Sequence, residues 1–71
     1  MEVGLKIKAY LSDHGITQTF LSKKTGIPMP KLNLSLNGKR KLDYEEYELI
    51  CGALNVEVGQ FLTARTLNEI L

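Results

Sequence analysis

Three glycines divide residues 1–38 of this 71-residue chain into segments about as long as one short helix. Gly15, Gly26 and Gly38 each follow a stretch in which apolar residues recur every three or four positions, the spacing of one helix face. Glycine readily adopts the left-handed conformation that ends many helices. Outside residues 32–36 no sustained alternation of polar and apolar residues indicates a strand. The pattern therefore predicts an all-α protein.

The first two helices are predicted from apolar spacing and capping residues. Apolar residues from Val3 to Leu11 form one face of the first helix. Thr17 is a suitable N-cap for a short second helix that runs to about Thr25 with Leu21 facing inward, because a threonine oxygen can accept a hydrogen bond from the first helical amides.

The third helix is predicted to begin at a pair of prolines. Pro28 and Pro30 would break a helix interior, but amides in the first helical turn have no intrahelical acceptor, so proline is tolerated there. We expect this helix to run to about Asn37, with Leu32 and Leu36 facing inward.

The remaining helices are predicted from a capping motif and a short apolar segment. Asp43, with Glu46 three residues later, has the pattern of a capping box. A short fifth helix is predicted over 58–63, docking through Phe61 and Leu62. The fourth helix should bury four residues on one stripe: Tyr47, Ile50, Cys51 and Leu54.

Size limits the chain to one domain. A chain of 71 residues and 8.0 kDa falls below the usual size of a domain. We expect residues 1–65 to form it and 66–71 to be a tail that is either helical or dimer-forming. No apolar run approaches the roughly 20 residues of a membrane span, and no signal pattern follows Met1. No membrane association and a cytoplasmic location are therefore expected.

Charge is distributed unevenly along the chain. Residues 1–13 balance two lysines against two acids, whereas residues 14–42 hold six basic residues and no acid. Residues 43–71 hold one basic residue and six acids. Such a basic block in a protein of net charge +1 indicates a positive surface that binds a polyanion.

Two short helices joined by a turn at Gly26 have the organisation of a helix-turn-helix. Roughly residues 3–63 resemble the phage Cro/repressor (XRE-type) DNA-binding family. The resemblance implies a compact five-helix, lambda-repressor-like domain with helices two and three as the helix-turn-helix and helix three in the major groove of double-stranded DNA. It depends on these positions: Gly15 to Gln18, Leu21, Ser22, Gly26 to Pro28, Leu32, Leu36 to Arg40, Ala53 to Val56, Phe61 and Leu62.

The resemblance also implies which residues contact bases. Family members carry polar, base-reading side chains at the positions of Met29 and Pro30, whereas this chain has apolar ones. Asn33 could pair bidentately with adenine, and Met29 could contact a thymine methyl group. The expected base-contacting residues are Pro28, Met29, Pro30, Asn33 and Leu34.

A second set of residues is expected to contact phosphates. Gln18 and Asn37 match family positions that bind the sugar-phosphate backbone, and the basic run after helix three adds charge beside the groove. Ser35 replaces a residue that is usually apolar and buried, and Leu36 is expected to be buried instead. The full set is Gln18, Lys31, Asn37, Lys39, Arg40 and Lys41.

Catalysis and metal binding are not expected. The single histidine, His14, and the single cysteine, Cys51, form no metal-ligand cluster. No nucleophile, base and orienting group share a motif. We therefore expect no enzymatic activity, no catalytic residue, no metal, no cofactor and no small-molecule ligand.

The expected function is that of a transcriptional regulator, a repressor in the simplest case, which binds operator DNA as a homodimer. One helix-turn-helix reads only a few base pairs, so two half-sites are needed. Apolar candidates for the dimer contact are Leu49, Val58, Leu62, Leu67, Ile70 and Leu71. The alternative is a protein-interaction module of the same fold, an antirepressor-like or antitoxin-like subunit with weak or no specific DNA binding.

Overall fold

Four α-helices form the part of the chain that the structure describes. The structure is a computed structural model that describes residues 2–62, within which no strand occurs. The helices are α1 (Gly4–His14), α2 (Gln18–Thr25), α3 (Met29–Leu36) and α4 (Tyr44–Leu54). The all-helical prediction and the positions of the first four helices are confirmed.

Local capping interactions set the helix ends where the sequence predicts them. The Thr17 side chain accepts a hydrogen bond from the Phe20 amide at 3.0 Å. Asp43 accepts one from the Glu46 amide at 2.8 Å, and the Asp43 amide donates to the Glu46 carboxylate at 3.0 Å, which completes the capping box. Gly26 has φ +78°, a conformation that residues with a Cβ rarely adopt.

The turn between α2 and α3 is fixed by side chains of α2. The Ser22 hydroxyl donates to the Ile27 carbonyl at 2.6 Å, and the Thr25 hydroxyl accepts from the Ile27 amide at 3.2 Å. Ile27 itself is buried. Because its backbone and side chain are both held, α3 leaves the turn in a fixed direction.

The core lies between the four helices. Helix α2 packs against α3 and α4, while α1 packs against α3. The inner side of α3 therefore closes the core and its outer side faces solvent. The buried apolar residues are Val3, Ile7, Leu11, Leu21, Ile27, Leu32, Leu36, Leu42, Tyr47, Ile50, Cys51, Leu54 and Phe61.

The prediction of a fifth helix over 58–63 is wrong for the part of this segment that the structure describes. Residues 58–61 form a hydrogen-bonded turn, and the Leu62 amide donates to Gly59 at 3.2 Å. In an α-helix that amide would bind the Val58 carbonyl, but the Tyr47 hydroxyl donates to this carbonyl. Glycine also has low helix propensity. Phe61 is buried as predicted, whereas Leu62 is 44 % exposed, so its predicted docking is wrong.

Two predictions concern parts of the chain beyond this turn. Thr63, at the end of the predicted fifth helix, and the proposed tail 66–71 lie outside the described residues. Within residues 2–62, none of the helices has the length and apolar character needed to cross a membrane.

Candidate nucleic-acid interface

The solvent-facing side of α3 gathers the residues expected to contact bases. Leu32 and Leu36 are completely buried on the inner side, whereas Met29 and Leu34 are 39 % and 44 % exposed on the outer side. The helix therefore presents one surface, which we call the outer face of α3. Its members are Pro28, Met29, Pro30, Asn33 and Leu34, all of them exposed.

A continuous chain of hydrogen bonds crosses this surface. Asn33 Nδ2 donates to Gln18 Oε1 at 3.3 Å. Asn37 Nδ2 donates to the Asn33 carbonyl at 2.9 Å, and Lys8 Nζ donates to Asn37 Oδ1 at 2.6 Å. The chain joins α2, α3 and α1, so polar groups from three elements are ordered side by side before any ligand arrives.

Lys8 takes part in this series of hydrogen bonds, but the sequence analysis did not place it at the interface. The apolar spacing of α1 places Val3, Ile7 and Leu11 inward and leaves Lys8 on an exposed side. The helical spacing therefore indicates that Lys8 is exposed, but exposed lysines are common on any helix and do not by themselves indicate a contact. Only the packing of α1 on α3 brings its ammonium group to Asn37.

A close contact between α1 and α3 sets the position of the outer face. Gly4 is buried at the start of α1, and a Cβ added there would lie 1.7 Å from the Ser35 carbonyl oxygen of α3. Any larger residue would push the two helices apart. Glycine at this position therefore allows α3 to sit directly on the first turn of α1.

Ser35 and Arg40 form a polar contact beneath the end of α3. Ser35 is 1 % exposed and Leu36 is fully buried, so the expected burial of Leu36 is confirmed and Ser35 is buried as well. Arg40 donates to the Ser35 hydroxyl and to the Glu46 carboxylate, both at 2.9 Å. The guanidinium predicted to contact phosphate thus also fixes the loop between α3 and α4.

The ion pair changes the ionisation of both partners. The hydrogen bond from Arg40 lowers the pKa of Glu46 below its ordinary value, although partial burial opposes the shift. The charge of Lys31 lowers the pKa of Glu46 further. Glu46 in turn raises the pKa of Arg40.

We expect the stability contributed by this ion pair to be lost in acid. A carboxylate whose folded pKa is lowered stabilises the fold above its unfolded pKa, about 4.5, and loses that contribution as pH falls through the folded value. In urea unfolding, wild type should exceed Glu46→Gln in stability at pH 7, with the difference shrinking below pH about 4.5. A difference that stays constant down to pH 2.5 would contradict the assignment.

The other cations expected to contact phosphate are exposed beside α3. Lys31, Lys39 and Lys41 are all exposed. Lys41 lies 3.7 Å from the Glu2 carboxylate, and this exposed pair contributes little stability. The loop that carries Lys39 and Lys41 and the first turn of α1 together line a groove of about 570 Å³.

The apolar residues expected at a dimer contact are also exposed where they are described. Leu49 is 51 %, Val58 42 % and Leu62 44 % exposed. Leu49 and Val58 line neighbouring grooves that share Glu48 and Gly52, so they belong to one region of the surface. The other candidates, Leu67, Ile70 and Leu71, lie outside the described residues.

No metal-binding arrangement occurs in residues 2–62, where no three His, Cys, Asp or Glu side chains are grouped to hold an ion.

A short helix held by a fixed turn across a second helix, with its outer face exposed, defines a helix-turn-helix domain. The model of the Cro/C1-type HTH DNA-binding domain family matches residues 6–66. The chain belongs to this family. Comparisons with curated proteins and with solved structures found no significant match.

Proposed function

We propose that this protein is a transcriptional repressor that binds operator DNA as a homodimer, with α3 in the major groove. The observation that carries the proposal is the outer face of α3, which stays exposed on a packed domain and is bordered by Lys31 and Lys39. A helix of this kind fits the width of the major groove. Bound at a promoter, such a dimer would exclude polymerase.

Residues around the outer face would bind the sugar-phosphate backbone. Gln18 lies at the first position of α2 and Asn37 just after α3, and the hydrogen-bond chain through Asn33 orders both side chains. Lys8 extends this set, since its ammonium group lies 2.6 Å from Asn37. Lys31, Lys39, Arg40 and Lys41 would supply the remaining charge, and phosphate contacts of this kind provide much of the affinity for DNA.

Dimerisation would use Leu49 and Val58, which line adjoining grooves, together with the exposed Leu62. Residues 66–71, with Leu67, Ile70 and Leu71, would add to the same contact. Exposed apolar side chains that line adjoining grooves favour burial against a partner. A homodimer also has the symmetry that two half-sites of an operator require.

Selection from a random duplex pool at about 0.1 M salt tests this function directly. We expect enrichment of a palindrome whose half-sites lie about 10 base pairs apart. Retention without any enriched sequence would contradict an operator-specific regulator. Enrichment of a single half-site would contradict binding as a dimer.

The second candidate function is a protein-interaction module of the same fold. Met29, Pro30 and Leu34 favour it, because exposed apolar side chains suit a protein groove as well as a DNA groove. If this protein retains no duplex in the selection, the result would support the alternative. The lysines around α3 weigh against it, since an apolar protein groove gives no partner to their charge.

A further inference from the structure

The hydrogen bond between Asn33 and Gln18 limits what Asn33 can recognise. Asn33 Nδ2 donates one hydrogen to Gln18 Oε1 at 3.3 Å, while a side-chain amide has two hydrogens on nitrogen and an acceptor oxygen. One hydrogen and Oδ1 therefore remain for a ligand. The bond to Gln18 also restrains the plane of the amide, and because Asn33 is exposed, these two groups stay open to a ligand.

The side chains around Asn33 on the outer face have no polar groups that could read a base. Met29 precedes Asn33 by one helical turn and Leu34 follows it, and these two side chains are 39 % and 44 % exposed. Pro30, which is also exposed, has no amide hydrogen. Lys31 is not one of the residues that define this face; it is exposed, and its charge lowers the pKa of Glu46 in α4.

We propose that the outer face of α3 is specific for A·T base pairs, an inference that rests on the proposed function. Asn33 pairs bidentately with adenine, and Met29 and Leu34 contact thymine methyl groups. Gln18 is a positioning residue that acts through Asn33.

The donors, acceptors and methyl groups that bases present in the major groove explain this choice of base pair. Adenine presents an acceptor at N7 and a donor at N6, which match the remaining hydrogen and the oxygen of Asn33. Guanine presents two acceptors, so the Asn33 oxygen would face an oxygen without a hydrogen between them. Of the four bases only thymine carries a methyl group in the groove, and that group offers an apolar surface to Met29 and Leu34.

Two base analogues test the proposal in a duplex taken from the random-pool selection. 7-Deazaadenine lacks the N7 acceptor but keeps its pairing with thymine, and uracil lacks only the methyl group of thymine. We expect 7-deazaadenine at the critical position to weaken binding by about 5- to 150-fold. Each critical uracil should weaken it by about fourfold, the effect of one buried methyl group.

Protein variants assign these effects to side chains. Asn33→Ala should bind the unmodified duplex about as weakly as wild type binds the 7-deazaadenine duplex, and it should not distinguish the two. Gln18→Met, which keeps the length of the side chain but removes its acceptor oxygen, should reduce that discrimination ratio. Thermal unfolding of both variants serves as the control, because a purely structural role would change stability and leave the ratio intact.

Two results would overturn the inference. If wild type binds the selected duplex equally well with and without the analogues, the specificity for A·T pairs is wrong while the proposed function stands. The inference is also wrong if the selected operators hold G·C pairs at the positions where the sequence preference changes in Asn33→Ala. Failure to retain any duplex would instead remove the proposed function, and this inference with it.

Discussion

Replacing Gly4 by alanine should destabilise the domain by about 3 kcal/mol, the upper range for an overpacked core. The new Cβ would lie 1.7 Å from the Ser35 carbonyl oxygen. Backbone atoms cannot rotate away as a flexible side chain can, so α1 must move off α3. A domain of this size has only about 4–10 kcal/mol of stability, so the variant should unfold at a much lower urea concentration.

Gly52→Ala is the matched control for this experiment. Gly52 lies in α4, and a Cβ added there meets no atom within 4 Å. Alanine should therefore stabilise the domain by about 0.5–1 kcal/mol through helix propensity alone. Urea unfolding followed by circular dichroism measures both changes. A Gly4→Ala midpoint equal to that of wild type would contradict the close packing of α1 on α3.

Removing three lysines beside α3 should produce the largest loss of DNA affinity. The slope of log affinity against log salt is negative, and its magnitude falls by about 0.9 for each phosphate that the protein no longer neutralises. Alanine at Lys31, Lys39 and Lys41 should therefore lower the magnitude of this slope by about 2.7 per bound protomer. At 0.1 M salt the affinity should fall on the order of a hundredfold or more.

The variant with arginine at the same three positions is the control. Arginine keeps the charge and contacts phosphate well, so the salt slope should stay close to that of wild type. Fluorescence anisotropy with a labelled duplex at several salt concentrations measures all three proteins. Equal slopes for the alanine variant and wild type would contradict phosphate binding by this surface.

Much of the fold follows from interactions that are local in sequence. Thr17 and the pair Asp43–Glu46 cap helices through contacts three residues away, and Gly15 and Gly26 end helices through their own backbone conformation. Such features can be predicted because the partners are sequence neighbours. The exposed outer face of α3 is predictable in the same way, from helical spacing alone.

Contacts between distant elements were the part that sequence reasoning missed. The turn at 58–61 is joined to α4 by Tyr47, eleven residues earlier, whose hydroxyl donates to the Val58 carbonyl. Lys8 reaches Asn37 across 29 residues. In the sequence, Arg40 stands between two lysines and looks like another exposed cation after α3. Its contacts with Ser35 and Glu46 depend on how the loop folds back. None of these pairings has a repeated spacing that marks it in the sequence.

The central claim, that the outer face of α3 binds duplex DNA, is tested most directly by an amide NMR titration of the whole protein with the selected duplex. The largest shifts should fall on Gln18, Met29, residues 31–34 and residues 37–41, while the buried stripe of α4 around Ile50 and Leu54 should change far less. Shifts centred on the grooves of α4, with the amides of α3 unchanged, would contradict the account.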